Sequence, residues 1–314
     1  MERISQFAKE GRAFLFVLSY DLNERFVQPL DQLDTDVFFK IQQIRNYPKT
    51  PRKHPYYLQK YPLDFRIYQS RLQRVLEEIR SGNSYLLNLT FKTPIQTNLS
   101  LDEIFLYARA KYKLYFKGRF ISFSPEKFIE IQGNTIATYP MKGTIEATLP
   151  DAKEQLLNNP KEMAEHVMIV DLMRNDLGMV ATDVKVERFR YLEKIRAGEK
   201  ELYQASSKIT AQLPNKWQEN LGEILSKLLP AGSITGTPKR RTVEIIEDIE
   251  DYNRGFYTGV FGVFDGENLY SAVMIRFIEQ EGDQLYYKSG GGITLESDPH
   301  AEYQELIDKI YLPF

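Results

Sequence analysis

The sequence predicts an α+β protein built mainly on antiparallel sheet, and three observations lead there. Strand-like runs follow one another across short turns, as in FISFSPEKFIEIQ and NTIATYPMKGTI on either side of Gly133–Asn134. Helical periodicity is interspersed among these runs, without the strand-by-helix alternation of a doubly wound fold. The 314 residues, 42% hydrophobic and 27% charged, suffice for a globular chain that buries about three quarters of its unfolded surface without staples.

The elements follow in order. The apolar stretch Ala13–Leu18 has only six residues and is preceded by Glu2 and Glu10. That is too short for a secretory core or for the roughly 20 apolar residues of a membrane span. AFLFVLSY is therefore expected to be a buried first strand, and the expected compartment is the cytoplasm. Two strands are expected around Ser19–Glu24 within residues 12–33. Between Pro48 and Pro62 lie four prolines with Lys49, Arg52, Lys53, His54 and Lys60, which predicts an exposed, irregular connection from a small N-terminal part to the main body. FRIYQSRLQRVLEEIRSG (65–82) has helical spacing and stops at Gly82. SYLLNLTFKTPI then reads as a strand. Helices are expected over 161–177 and near 220–229, and another opens at Pro238 with Thr237 as its N-cap. Residues 255–293 read as strands, and a closing helix covers 299–311. No internal repeat, low-complexity tract or second linker is visible.

Composition narrows the chemistry. Zero cysteines exclude disulfides, thiolate zinc sites, iron–sulfur clusters and cysteine nucleophiles. His54, His166 and His300 are too few and too scattered for a histidine-based metal site. A balance of 41 basic against 43 acidic residues leaves no global field to recruit nucleic acid or membrane. Carboxylate, lysine and hydroxyl chemistry remain.

Four constellations carry such chemistry. Glu162 and Glu165, and likewise Glu302 and Glu305, stand three apart, so each couplet shares a helix face. The first couplet precedes the apolar run VMIV, so its helix is expected to be largely buried, with the acidic face turned to a cleft or a partner charge. Such a set of carboxylates suits Mg²⁺ held together with an anionic substrate, although either couplet alone also fits a solvated helix end. PAGSITGTPKRRTVEII (230–246) sets glycines before a helix N-terminus, where free amides face an anion, or simply punctuates a loop. Gly290-Gly291-Gly292 permits close backbone approach to a ligand, or a bulge. Lys142, between a proline-containing strand end and a Gly-Thr turn, is a surface charge or, if buried, a nucleophile.

Together and in order these motifs resemble one family, the chorismate-utilising enzymes, which include the first components of anthranilate and aminodeoxychorismate synthases and the isochorismate and salicylate synthases. The matching stretches are SPEKF, YPMKGT, EHVMIVDLMRNDLG, PAGSITGTPKRRTVEIIEDIE, RGFYTGVFGVF, the IR of Arg276, and SGGGITLESDPHAEYQELIDK, from about 120 to 309. The resemblance implies two large antiparallel sheets packed as a sandwich, helices outside and the site in the cleft. It implies one catalytic domain over 1–314, with 1–64 a shortened N-terminal part and 65–314 the core; the tryptophan pocket that this part often builds in the family has little room here. By the same resemblance Glu165 and Glu305 would hold Mg²⁺, supported by Glu162 and Glu302, and the metal would grip the ring carboxylate of chorismate. Tyr257 and Arg276 would bind the enolpyruvyl carboxylate, Arg276 as a bidentate fork, helped by the amides of Gly290 and Gly292. Lys309 would lie near the metal, and Gly143, Thr144 and Thr235 would line the ring pocket.

A few positions choose the branch. In members that make anthranilate, alanine stands where this chain has Lys142. The PxKGT form resembles aminodeoxychorismate synthase, in which the lysine attacks C2 as the C4 hydroxyl leaves and ammonia then attacks C4. Glu126 in SPEKF matches the acid–base partner of that departure. Members that add water at C2 carry lysine at the position of Leu86. Gln204 stands where a histidine is associated with pyruvate loss, which favours a product that keeps its enolpyruvyl group. The resemblance also implies ammonia from a glutamine amidotransferase subunit. The rival readings are an anthranilate synthase component I with an unusual lysine and a non-catalytic chorismate-binding relative.

Overall fold

The computed structural model describes residues 1–47, 54–197 and 200–314. Helix α1 (Glu2–Lys9) is followed by strands β1 (Phe14–Leu18), β2 (Arg25–Pro29), β3 (Val37–Ile41), β4 (Ile44–Arg45) and β5 (Leu58–Lys60). Helix α2 (Phe65–Arg80), strand β6 (Leu86–Thr97) and helix α3 (Leu101–Tyr107) come next. Five strands follow: β7 (Tyr112–Phe116), β8 (Phe120–Ser124), β9 (Lys127–Gln132), β10 (Thr135–Thr138) and β11 (Met141–Glu146). Helices α4 (Ala152–Asn158) and α5 (Pro160–Gly178) lead to the long strands β12 (Thr182–Ala197) and β13 (Lys200–Gln212). Helix α6 (Leu221–Leu228), strand β14 (Gly236–Thr237) and helix α7 (Lys239–Ile249) precede β15 (Val260–Phe264), β16 (Leu269–Val273), β17 (Phe277–Glu281) and β18 (Gln284–Ile293). Helix α8 (Pro299–Asp308) closes the chain.

The strands form two antiparallel sheets. One runs β11-β13-β10-β9-β16-β15-β1-β2, with β12 also on β13; the other runs β14-β6-β18-β17-β8-β7-β3-β4, with β5 also on β6. Strand β1 explains why they stack. Phe14, Phe16 and Leu18 pack toward α1, α5 and α6, while Leu15 and Val17 face the second sheet through Phe39, Leu114, Phe120 and Phe277. Both faces of β1 are buried, so its sequence is an unbroken apolar run rather than an alternating one. On the outside of the second sheet, α2, α7 and α8 cover β6 and β18 through Leu72, Val75, Ile245, Ile246 and Leu306. The architecture is the expected α+β sandwich with helices outside. The first 64 residues are woven into it, giving β1 and β2 to one sheet and β3–β5 to the other. No described helix is long and apolar enough to cross a membrane.

Several expectations need correction. FISFSPEKFIEIQ is two strands, β8 and β9, in different sheets, and ENLYSAVMIRFIEQ divides the same way into β16 and β17. Of the proline-rich stretch, Pro48–Lys53 lie outside the described residues; beyond it Leu58–Lys60 is not irregular but pairs with β6 as β5. Pro238, not Thr237, is the N-cap of α7, because Thr237 is spent on a strand pairing with Leu86. Helix α5 is buried on one side only: Met163 and Val167 are exposed. Helix α8 ends at Asp308 rather than 311. The β12–β13 hairpin has no counterpart in the sequence reading, since its charged, alternating pattern lacks a turn motif that stands out.

Candidate active site

The cleft opens where the chain passes from one sheet to the other. Ser124-Pro125-Glu126 joins β8 to β9 and Met274-Ile275-Arg276 joins β16 to β17, and the two crossings are tied together. Val273 N–H donates to the Glu126 carbonyl at 3.2 Å, and Phe123 N–H donates to that of Arg276 at 3.1 Å. Arg276 sits at φ +53°, a left-handed conformation that costs a non-glycine residue about 1 kcal/mol or more and that the crossing imposes. Its Nε donates to the Tyr311 hydroxyl at 3.4 Å, leaving the rest of the fork toward the cleft it lines. Glu126 accepts a hydrogen bond from the Ser233 hydroxyl. Confinement in the cleft pushes the Glu126 carboxyl up, against that hydrogen bond and the charges of Arg276 and Lys309. A carboxyl shifted in this direction is suited to give a proton to a departing hydroxyl.

Lys142 lies within β11 itself rather than before a turn. The β11–β13 ladder skips between Met141 and Thr144, so Lys142 and Gly143 form a bulge. Gly143 has φ +90°, and a methyl group there would stand 2.7 Å from Glu162 Oε2, so the position demands glycine. The Lys142 amine meets Glu165 Oε2 at 2.8 Å. Burial alone would lower its pKa, but Glu165, Glu305 and Glu162 outweigh that and raise it, so the amine is an ammonium in the protein by itself.

The two acidic couplets face this amine from α5 and α8. A methyl group on Gly291 would lie 3.4 Å from Glu302 Oε2 and 3.9 Å from Glu305 Oε1, so both carboxylates converge on the glycine strand. Glu305 pairs with Lys309 at 2.6 Å, and Lys309 also donates to the Gly290 carbonyl at 2.7 Å. Ser297 donates to Glu302 at 2.8 Å. Burial pushes Glu162 and Glu302 up, each helped by the neighbouring carboxylate of its own couplet. Burial would do the same to Glu305, but Lys309, Lys142 and Arg276 hold it below its ordinary value. The donors fit Mg²⁺ in kind: they are carboxylate oxygens, and Glu162 Oε2 is buried without a hydrogen-bond partner. As the side chains stand, no group of three metal-ligating residues is gathered closely among the described residues; Lys142 and Lys309 hold Glu165 and Glu305 instead.

The cleft brings together most of the expected residues: Glu126, Lys142, Thr235, Tyr257, Arg276, Gly290, Gly292 and Lys309 line it. Gly292 comes close to the amine, since a methyl group there would be 3.6 Å from Lys142 Nζ. Thr144 departs from expectation. It is exposed and, with Glu162, lines a separate depression beside α4, after the bulge in β11. Gly143 is not a lining residue either; its part is the bulge. Leu86 lines the cleft, and Gln204 lies opposite Thr144 in the ladder. Sequence reasoning missed Ser233, although it lies inside a quoted motif, and the buried Lys288, which also lines the cleft while pairing with Glu279 at 2.8 Å. A lysine in a strand ending in three glycines was a sign of it.

Comparison with known proteins shows the family and the fold. The family model for chorismate binding enzymes matches residues 4–313. An uncharacterized PabA-like protein of Haemophilus influenzae is 47% identical over the whole of this chain, which spans 96% of it. Aminodeoxychorismate synthase component 1 of Escherichia coli is 37% identical over 77% of this chain, which spans 56% of that protein's length. The menaquinone-specific isochorismate synthase of Escherichia coli shares the fold, with a TM-score of 0.74 over 98% of this chain and 79% of that one at 16% identity. With a cleft built of these residues and a family match over nearly its full length, the chain belongs to the chorismate-binding enzymes.

Proposed function

We propose that the chain is an aminodeoxychorismate synthase component I, which aminates chorismate at C4 to 4-amino-4-deoxychorismate for p-aminobenzoate and folate synthesis, with ammonia delivered by a glutamine amidotransferase subunit. The observation that carries this reading is Lys142, whose amine stands in the cleft with Glu126 and between the two carboxylate couplets. Arg276 would take the enolpyruvyl carboxylate as a fork, with Tyr257 and the Gly290 and Gly292 amides beside it. Lys142, once neutral, attacks C2; the ring double bonds shift, and the C4 hydroxyl leaves as water with the proton held on Glu126. Ammonia then adds at C4, the double bonds shift back, and the Lys142 amine is expelled from C2. Glu165 and Glu305, with Glu162 and Glu302, would hold Mg²⁺, which when bound would supply positive charge to offset theirs and to attract the ring carboxylate. Leu86 offers no base at C2, which speaks against water addition there.

The test is mass spectrometry of the product formed from chorismate, ammonium and Mg²⁺. An aminated ring that keeps its enolpyruvyl ether is expected. Anthranilate would transfer the chain to the other branch, and no turnover at excess ammonium and Mg²⁺ would make it a binding relative.

A further inference from the structure

We propose that His166 is a positioning residue for Lys142: its ring holds the Lys142 carbonyl and so fixes the bulge that aims the amine into the cleft. This rests on the reading of Lys142 as the nucleophile. The argument begins with the backbone. The skip in the β11–β13 ladder leaves Lys142 without a ladder partner, and a carbonyl turned inward needs a hydrogen-bond donor from elsewhere. His166 Nδ1 lies 3.3 Å from the Lys142 carbonyl oxygen. A carbonyl only accepts, so Nδ1 carries the proton, and in the neutral ring Nε2 is left as an acceptor. Ser207 Oγ, 2.7 Å from Nε2, therefore donates to it, and accepts in turn from the Arg190 N–H at 2.9 Å. Every atom of the chain has one compatible role. His166 and Ser207 are 0% exposed, so both are shielded from bulk solvent. His166 directly follows Glu165, whose carboxylate holds the amine of the same lysine. One turn of α5 thus grips Lys142 at both ends, backbone and side chain. A ring that merely filled the core would need neither the tautomer nor the chain of donors.

The experiment compares His166→Leu, His166→Asn and Lys142→Ala in the full chain, measuring kcat, chorismate KM and melting temperature with ammonium and Mg²⁺. Asparagine returns an N–H donor near the place of Nδ1. Leucine is expected to lower kcat about 100-fold with KM within about twofold, and asparagine to restore kcat to within about fivefold of wild type. Should the leucine variant fail to fold, the asparagine variant still decides: kcat near wild type supports the role, and a hundredth of it at an unchanged melting temperature overturns it. Wild-type kcat in a folded leucine variant, or a change in KM alone, also overturns it. Wild-type C4 amination by Lys142→Ala would instead remove the nucleophile reading, whatever the His166 variants do.

Discussion

At the scale of single residues, charge decides what Lys142 can do. Desolvation favours the neutral amine that a nucleophile needs, yet the carboxylates of both couplets reverse its effect. Replacing Lys142 by alanine should cut C4 amination by about 100-fold or more, and trapped wild-type enzyme should carry an adduct on Lys142 by mass spectrometry. A variant with wild-type rates would reduce Lys142 to an electrostatic helper. The ion pair with Glu165 also predicts competition. Lys142→Met should bind Mg²⁺ about tenfold more tightly by calorimetry, because one positive charge no longer opposes the cation; equal affinity would mean that the amine and the metal do not share Glu165. Glu126→Gln should lose about 100-fold in kcat, since the amide has no proton to give. Its sign on stability is opposite. A carboxyl raised in the folded state contributes stability that is present at low pH and is lost as pH rises through its folded pKa. Melting temperature followed from the ordinary carboxylate range upward should therefore decline less in Glu126→Gln than in wild type.

At the scale of elements, the site is made where regular structure breaks. Glu126 and Arg276 occupy the crossings between sheets, and Lys142 occupies a bulge. The sequence reading found these residues by their motifs but drew FISFSPEKFIEIQ and ENLYSAVMIRFIEQ as continuous strands. Nothing in a period-2 pattern marks a change of sheet, because the residues before and after it are equally apolar. The same limit applies to Gly143, which looked like part of a turn. Its φ of +90° and the Glu162 oxygen behind it predict that Gly143→Ala destabilises the protein by about 1–3 kcal/mol in chemical denaturation and slows turnover as β11 shifts. Unchanged stability and rate would mean that the bulge tolerates a side chain.

At the scale of the whole molecule, a buried ion pair ties the end of α7 and the segment after it to strand β6. Arg254 and Glu250 are each 2% exposed at the side chain and meet at 2.7 Å. Arg254 also donates to the Asn88 and Ile234 carbonyls, while Glu250 accepts from the Thr90 amide and hydroxyl. Arg254→Met leaves Glu250 charged and buried, and should cost about 3–5 kcal/mol in urea unfolding; a loss below about 1 kcal/mol would show that Glu250 finds another partner or a proton.

Legible in the chain alone were the class of the fold and the carboxylate couplets, because spacing along a helix or strand places neighbours locally; Lys142 and the other site residues were found through resemblance to the motifs of a family. Only the tertiary structure decided that Lys142 faces both couplets at once, that Thr144 points away, that Ser233 holds Glu126, and that His166 reaches the Lys142 carbonyl. The Lys142–His166 and Glu126–Ser233 pairs lie 24 and 107 residues apart in the chain. Their meeting depends on two sheets stacking around β1, and no local pattern encodes that packing.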